Sequence, residues 1–291
     1  MWLNFSKIEI LVLERLSEGS AGPGKLAGAL GKKNSFISRV IGKLLQKGMI
    51  TKNGHEILLS QAAHAQSFKR LYDSRPNARI EDWLCGSAMD VMIVLAGFAS
   101  GTDIKTLAQE VACSKPTVFG VLKALYSAGV AGKRGNTIWI CDSFVCEFAQ
   151  TYADGICQLL VSKANGHNIS TRVIKNVVVR TDAKDVPPLF SQTGMNVLIA
   201  RGMDAIKTSY DDYSFSLDMK KRAVGVEEAF IDALLLTTLL LHQDNVVLAI
   251  FLKKNRKRLN IGKLRELAKR YNVAGELDAM RQALDYAEKV G

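Results

Sequence analysis

A chain of 291 residues is longer than one typical domain, so two or three are expected. Its 48% hydrophobic content is enough to fill real cores and excludes a disordered chain, while a formal net charge of +11 favours an anionic partner, of which nucleic acid is the commonest. The five cysteines, Cys85, Cys113, Cys141, Cys146 and Cys157, form no CxxC pair and have no histidine close by, so reduced cytoplasmic thiols are expected rather than a disulfide framework or a metal site.

Met1 to Ile10 lacks a basic start followed by a long apolar stretch, so no signal peptide is expected there. Ile8 to Leu16 is apolar at helical spacing, and Pro23 to Leu30 makes a short second helix. Between them, Gly19 to Gly24 (GSAGPG) lacks the Lys-Ser/Thr ending of a phosphate loop and reads as an inter-helix turn. Ser35 to Lys47 is predicted as a third helix with the apolar stripe Ile37, Val40, Ile41 and Leu44. Its other face carries Ser35, Ser38, Arg39, Lys43 and Gln46, and Lys32, Lys33 and Asn34 precede it. Gly48 can end this helix in a left-handed conformation. Met49 to Leu59 is predicted as a hairpin turning at Asn53-Gly54, with Lys52 and His55 at its tip. Ala62 to Tyr72 follows as a helix, and Ser74-Arg75-Pro76-Asn77 reads as a linker.

The chain then repeats itself. KLAGALGKKNSFISRVIGKLLQKGMITKNGHEILL from Lys25 aligns without a gap on TLAQEVACSKPTVFGVLKALYSAGVAGKRGNTIWI from Thr106. Ile37, Val40, Ile41 and Leu44 fall on Val118, Val121, Leu122 and Leu125; Gly48 falls on Gly129, and Asn53-Gly54 on Arg134-Gly135. Ser114 is placed to cap the second copy's third helix, and Pro116 suits an early helical position.

Three helices and a hairpin in that order resemble a winged helix-turn-helix, the fold of MarR-like transcriptional regulators. NSFISRVIGKLLQKGMI resembles that family's recognition helix and first wing strand, and CSKPTVFGVLKALYSAGV a second copy. The resemblance implies a recognition helix entering the major groove of double-stranded DNA, small polar groups meeting base edges and cations meeting phosphates. Carried onto this chain, the contact residues of copy one are Lys32, Lys33, Asn34, Ser35, Ser38, Arg39, Lys43, Gln46, Lys52 and His55. In copy two they are Lys115, Thr117, Lys123, Lys133 and Arg134.

Charge divides the copies. Residues 1–80 carry 13 Lys and Arg against 5 Asp and Glu, residues 81–163 carry 6 against 8, and residues 164–291 carry 20 against 15. Copy one is therefore expected to be the better DNA reader. For copy two, whose first helix is read as acidic through Asp82 and Asp90, DNA contact and a packing or dimer role both stand. Phe144, Phe148, Tyr152, Ile156 and Leu159-Leu160 then mark a long amphipathic helix, suited either to a homodimer interface or to packing on its own chain.

Beyond residue 168, Val173 to Thr181 (VIKNVVVRT) reads as a strand, Pro187-Pro188 as a loop, FSQTGMNVLIARG as a turn-helix and YSFSLD as a short alternating strand. Helices are predicted over Val226 to His242, Asp244 to Lys254, Asn260 to Tyr271 and Glu276 to Lys289, with Asp244 and Asn260 as caps. TGMNVL, GVEEAFIDALLL and LNIGKLRELAKRYN resemble segments of the nucleotidyltransferase-like domain found behind winged helices in abortive-infection-type antitoxins. An active member needs a Gly-Ser phosphate loop and paired carboxylates on metal ions. No Gly-Ser followed by a DxD lies in this region, and Asp182 with Asp185 or Asp211 with Asp212 are candidates only by residue type.

The expected fold is α+β, mostly helical: a winged helix with trailing helix over 1–75, a second over 80–163, and a small α/β unit with a helical bundle over 168–291. The expected function is a sequence-specific DNA-binding transcriptional regulator whose C-terminal domain, noncatalytic and without a cofactor or metal, senses a signal or binds a protein partner. The alternatives are a winged-helix protein-interaction adaptor and a nucleotidyltransferase-type toxin or antitoxin component. No stretch is long and apolar enough to span a membrane, and a cytoplasmic location is expected.

Overall fold

Ser6 starts the first helix. Its hydroxyl accepts from the Glu9 N–H at 3.4 Å while its own N–H donates to the Glu9 carboxylate at 2.7 Å, a reciprocal cap that opens α1 (Lys7–Glu18). The fold is read from a computed structural model that describes residues 3–205, 208–240 and 245–290. It is α+β and mostly helical, and it divides into two units, Met1–Leu160 and Val161–Gly291.

In the first unit α1 is followed by α2 (Pro23–Ala29), α3 (Asn34–Gln46), the hairpin β1 (Ile50–Asn53) and β2 (Glu56–Leu59), and α4 (Ala63–Ser74). After a 3-10 turn at Ile80–Asp82 the same order returns as α5 (Ala88–Ala96), α6 (Ile104–Val111), α7 (Lys115–Ser127), β3 (Ala131–Arg134), β4 (Thr137–Ile140) and α8 (Ser143–Val161). The starts of the first five elements keep one offset: Lys7 and Ala88, Pro23 and Ile104, Asn34 and Lys115, Ile50 and Ala131, Glu56 and Thr137. Hydrogen bonds repeat with them. Ala21 and Ile57 exchange two backbone bonds of 3.1 Å, and Thr102 and Ile138 exchange two of 2.9 and 2.8 Å. Each loop between the first and second helices is thereby pinned to its hairpin. Each third helix ends the same way: Gly48 and Gly129 adopt φ +66° and +65°, and the next N–H reaches back to Leu44 or Leu125.

The hairpin tips differ from expectation. Asn53 pairs with Glu56 and Arg134 with Thr137, so the two-residue loops are Gly54-His55 and Gly135-Asn136, one residue later than predicted. Gly54 and Gly135 have φ +59° and +58°, whereas His55 and Asn136 do not have positive φ. This is the glycine-first arrangement of a type II′ turn, not the type I′ turn that Asn-Gly suggests.

α8 carries the shared core of the unit. Phe148, Tyr152, Ile156 and Leu160 are fully buried, and the rings of Phe5, Phe68, Phe148 and Tyr152 cluster with Phe5 and Tyr152 4.9 Å apart. The apolar face read from the sequence is thus used within its own chain, apart from the exposed Phe144. α4 joins α8 through Ser67 and Thr151 (2.6 Å) and an ion pair between Arg70 and Glu147. The expected linker is anchored by Arg75, which donates to Asp142 and, at 2.9 Å, to the Ala128 carbonyl.

The polar centre of this core is Lys47. Its ammonium, only 3% exposed, donates to the Glu9 carboxylate at 2.8 Å and to the Asn4 carbonyl at 2.7 Å, and lies 4.4 Å from the centroid of Phe5. Burial alone would raise the Glu9 pKa, but Lys47 and Ser6 outweigh it and hold the carboxyl below its ordinary range. Asn4 also donates to the buried Asp90 of α5 at 2.7 Å, Phe5 forms a bridge with Cys85, and Tyr152 donates to the Leu3 carbonyl at 3.0 Å.

The second unit holds β5 (Asn168–Val173), β6 (Asn176–Thr181), β7 (Ser191–Gln192), α9 (Gly194–Ala200), β8 (Asp211–Ser216) and the helices α10 (Val226–Leu240), α11 (Asn245–Asn255), α12 (Ile261–Arg270) and α13 (Ala274–Val290). The sheet is antiparallel in the order β5-β6-β8-β7. The predicted single strand Val173 to Thr181 is instead the second half of a hairpin turning at Ile174-Lys175. Its first half, β5, is a partly exposed edge strand whose polar residues give no apolar alternation. β8 alternates as predicted, yet both of its faces are largely buried. Tyr213 and Phe215 lie on one side; on the other, Asp212 is held by Arg180 at 2.7 and 3.0 Å and by the Met195 N–H at 2.9 Å. The predicted helix end His242 and cap Asp244 lie outside the described residues, while Asn260 caps α12 by accepting from Lys263 N at 3.0 Å.

Asp232, on α10, is fully buried; one carboxylate oxygen accepts from Thr193 at 2.6 Å and the other has no partner among the described residues. Burial, only partly opposed by Thr193, pushes its pKa up to about 8.

Two outcomes are expected. Lys47→Met strands the Glu9 charge and lowers stability by about 3–5 kcal/mol, whereas adding Glu9→Gln recovers part of the loss, because no charge is then buried alone. Urea unfolding of the two variants measures this. For Asp232 the unfolded carboxyl titrates near pH ~3.9, so the folded state keeps a proton that the unfolded chain releases above that value. Its contribution is fully present below the unfolded pKa and is lost as pH rises through about 8. Asp232→Asn should therefore gain stability relative to the parent as pH rises across that window. A constant difference between the two denaturation midpoints over the window would show Asp232 to be ionised in the fold.

Candidate nucleic-acid interface

α3 is amphipathic by construction. Ile37, Val40, Ile41 and Leu44 are buried, which fixes the rotation of the helix and turns Asn34, Ser35, Ser38, Arg39, Lys43 and Gln46 to solvent. Lys32 and Lys33 are exposed in the turn before it. No side chain caps the helix at Lys33; the Phe36 N–H turns to the Lys33 carbonyl at 3.0 Å, and the Asn34 and Ser35 N–H groups are left at the open start. Phe36 is 38% exposed beside them, with the Arg39 guanidinium 6.0 Å from its ring centroid. Lys52 and His55 are exposed at the first hairpin, as expected. Lys32, Lys33, Arg39, Lys43 and Lys52 have no carboxylate partner among the described residues. The sequence reading missed Lys25, an exposed cation on α2 whose helix starts beside the His55 carbonyl. Its signal was available as one more lysine in a segment poor in acids.

The second module keeps the backbone and changes the face. Lys115, Thr117, Lys123, Lys133 and Arg134 are all exposed. At the positions of Ser38, Arg39 and Lys43, however, stand Phe119, Gly120 and Ala124, with Phe119 51% exposed. Val121 of the expected apolar stripe is only half-buried. The N-terminus of α7 is closed by Ser114, which accepts from Thr117 N at 3.4 Å and bonds the Thr117 hydroxyl at 2.8 Å. The acidic first helix expected here is not a surface. Asp90 is buried against Asn4, and Asp82 lies outside α5 in an ion pair with Lys7 at 2.8 Å. The two helices carry their exposed cations at different positions, Arg39 and Lys43 on α3 and Lys115 and Lys123 on α7.

Of the histidines, His64 is buried with Nε2 3.0 Å from the Lys47 carbonyl, and burial lowers its pKa. In the second unit a cavity of about 690 Å³ is lined by Arg180, Asn196, Asp204, Tyr210 and Asp212 with Met195, Ile199 and Val247. Its polar groups largely satisfy one another: Arg180 grips Asp212, and Asn196 bonds Asp211 and the Asp212 N–H. Asp182 accepts from His167 N at 2.7 Å. Among the described residues no group of three or more His, Cys, Asp or Glu side chains is placed to hold a metal ion, and no helix is long and apolar enough to cross a membrane. No protein-family model, no curated protein and no solved structure matches the chain.

The contrast between the modules has a direct test. Changing Lys32, Lys33 and Lys52 to Ala should weaken duplex binding more than changing Lys115, Lys133 and Arg134 to Ala, although each set removes three positive charges. Each phosphate that is no longer neutralised lowers the salt slope by about one. Dissociation constants at one salt concentration decide it, and greater damage from the second set would move the reading surface to α7.

Proposed function

We propose that this chain is a sequence-specific DNA-binding transcriptional regulator built on tandem winged helix-turn-helix modules. In this reading α3 is the recognition helix, the β1–β2 hairpin is the wing, and the second unit senses a signal or binds a protein partner. One observation carries it: an ordered helix face of small polar groups and cations with no carboxylate partner among the described residues, beside a hairpin that exposes Lys52 and His55. A helix of this width fits the major groove, where Arg can bond a guanine edge and Ser or Gln can serve other edges. The cations then neutralise phosphates and supply the sequence-independent part of the affinity. The uncapped α3 N-terminus adds N–H groups suited to a phosphate oxygen.

A second reading, a protein-interaction role for α7, is favoured by Phe119, 51% exposed where α3 has Ser38. It concerns the second module and is compatible with DNA binding by the first.

Arg39→Ala and Lys43→Ala test the main reading. Both side chains lie off the buried stripe, so the fold should persist with unchanged circular dichroism. Removing a base-specific bond should cost about 1–3 kcal/mol and relax specificity at one position, and removing a phosphate bond should weaken all sequences alike. Unchanged affinity in both variants would leave the adaptor reading standing.

A further inference from the structure

The second unit carries a cationic surface as dense as that of the first module. From Asn245 to Arg270 there are nine Lys and Arg residues and a single acid, Glu266. Lys263 is paired with Glu227 at 3.3 Å, Arg256 with Asp285 at 3.4 Å, and Arg270 is half-buried. The other six, Lys253, Lys254, Lys257, Arg258, Arg265 and Lys269, are exposed and have no carboxylate partner among the described residues.

The backbone beneath these charges is fixed. Leu248, Phe251 and Leu252 of α11, Leu259 between the helices, and Leu264 and Ala268 of α12 are all buried in one core. Asn255 donates to the Phe251 carbonyl at 3.0 Å and accepts backbone bonds from Arg258 and Leu259 at 2.8 and 3.0 Å. The cations therefore stand on an ordered helix–turn–helix corner, and holding six like charges together costs repulsion that an anion relieves.

We propose that this corner, the end of α11 and the exposed side of α12, binds the phosphodiester backbone of nucleic acid without regard to sequence; the inference rests on the DNA-binding reading above. The composition of the surface separates this from a lipid surface. An interfacial membrane helix needs a broad apolar face with large side chains to insert. From Lys253 to Arg270 no exposed residue is apolar, and the aromatic side chain of α11, Phe251, faces the core. The exposed Val246 and Ile250 lie upstream of the cations and are too few to anchor a helix.

The test uses the full chain, with Lys253, Lys254, Lys257 and Arg258 changed to Gln, and fluorescently labelled duplexes of unrelated sequence titrated over a range of salt. Affinity for every sequence should fall by a common factor, and the salt slope should drop by up to ~3.6, about 0.9 for each phosphate left without its cation. Interchange of Lys and Arg at these positions should leave both unchanged. Should the first variant not fold, Arg265→Gln with Lys269→Gln on α12 gives the same readout. Unaltered affinity and slope with a bound duplex would overturn the proposal. So would a variant that keeps DNA binding but no longer sediments with phosphatidylserine vesicles, which would make the corner a lipid surface. A parent chain that binds no duplex overturns this inference and the DNA-binding reading together. Weakening by the Gln variant but not by Arg39→Ala or Lys43→Ala would sink the α3 reading alone.

Discussion

The first unit depends on the placement of four residues, Leu3 to Ser6, between its two modules. Phe5 fills the aromatic cluster, Leu3 receives the Tyr152 hydroxyl, Asn4 spans from Lys47 to Asp90, and Ser6 starts α1. Remove this segment and Lys47 loses an acceptor, Asp90 a donor and Phe148 a neighbour. The cost falls on both modules at once, because buried polar groups without partners are far more expensive than the same groups in water. The segment also removes the ambiguity that a repeat creates. Glu9 and Asp90 occupy equivalent positions, but Lys47 faces Ala128 in the alignment. Only one module can therefore satisfy a buried ammonium, and the two cannot exchange places.

With that core fixed, the surfaces of α3 and α7 are free to diverge. Ile37, Ile41 and Leu44 and their counterparts Val118, Leu122 and Leu125 are buried in the same way, so both helices present the same rotation to solvent. What stands on the presented face is then decided residue by residue. Arg39 and Lys43 stand against Gly120 and Ala124, and Asn34 and Gly42 against Lys115 and Lys123, so the cations change position rather than number, and Ser38 against Phe119 exchanges a hydroxyl for a ring. One scaffold thus carries two helix faces of different chemistry. The lock through Asn4, Asp90 and Lys47 holds them in a constant relation within the unit.

Elements set by periodicity were legible in the sequence. The repeat offset, α1 to α3, the glycine helix ends and the amphipathic α8 follow from apolar spacing, which records the side of each element that must be buried. What escaped the sequence is tertiary partnership. Nothing local marks Lys47 as buried while Lys43, one turn earlier, is exposed; the difference is that Glu9 and Asn4 meet it. Asp90 read as surface acid because an aspartate in a helix is usually solvated, yet Asn4 covers it from 86 positions away. The hairpin tips slipped by one residue because Asn-Gly and Gly-His both place glycine at a turn, and only the strand register distinguishes them. β5 escaped because an edge strand pairs on one side and needs little apolar alternation. For the interface, the α3 face was readable once the stripe was known. The open N-terminus of α3 and the aromatic on α7 needed the helix rotation.

Partnership also distinguishes cations that build the fold from cations left for something else. In the first unit Lys7, Lys47, Lys69, Arg70 and Arg75 each have a carboxylate, and they sit in the core, on α4 or at the junction with the second module. The exposed cations of α2, α3 and β1 have none among the described residues. A solubilising surface disperses charge and mixes its signs, which lowers self-repulsion. Here the paired charges lie where the fold needs orientation, while exposed cations without a carboxylate partner among the described residues stand on α2, α3 and α7 and on both hairpins. The overall charge of a module is a poor guide to the face it presents: in the second module Glu81 and Asp90 are buried while Asp103 and Asp154 are exposed, and α7 differs from α3 by Phe119, Gly120 and Ala124 and by Lys115 and Lys123 in place of Asn34 and Gly42.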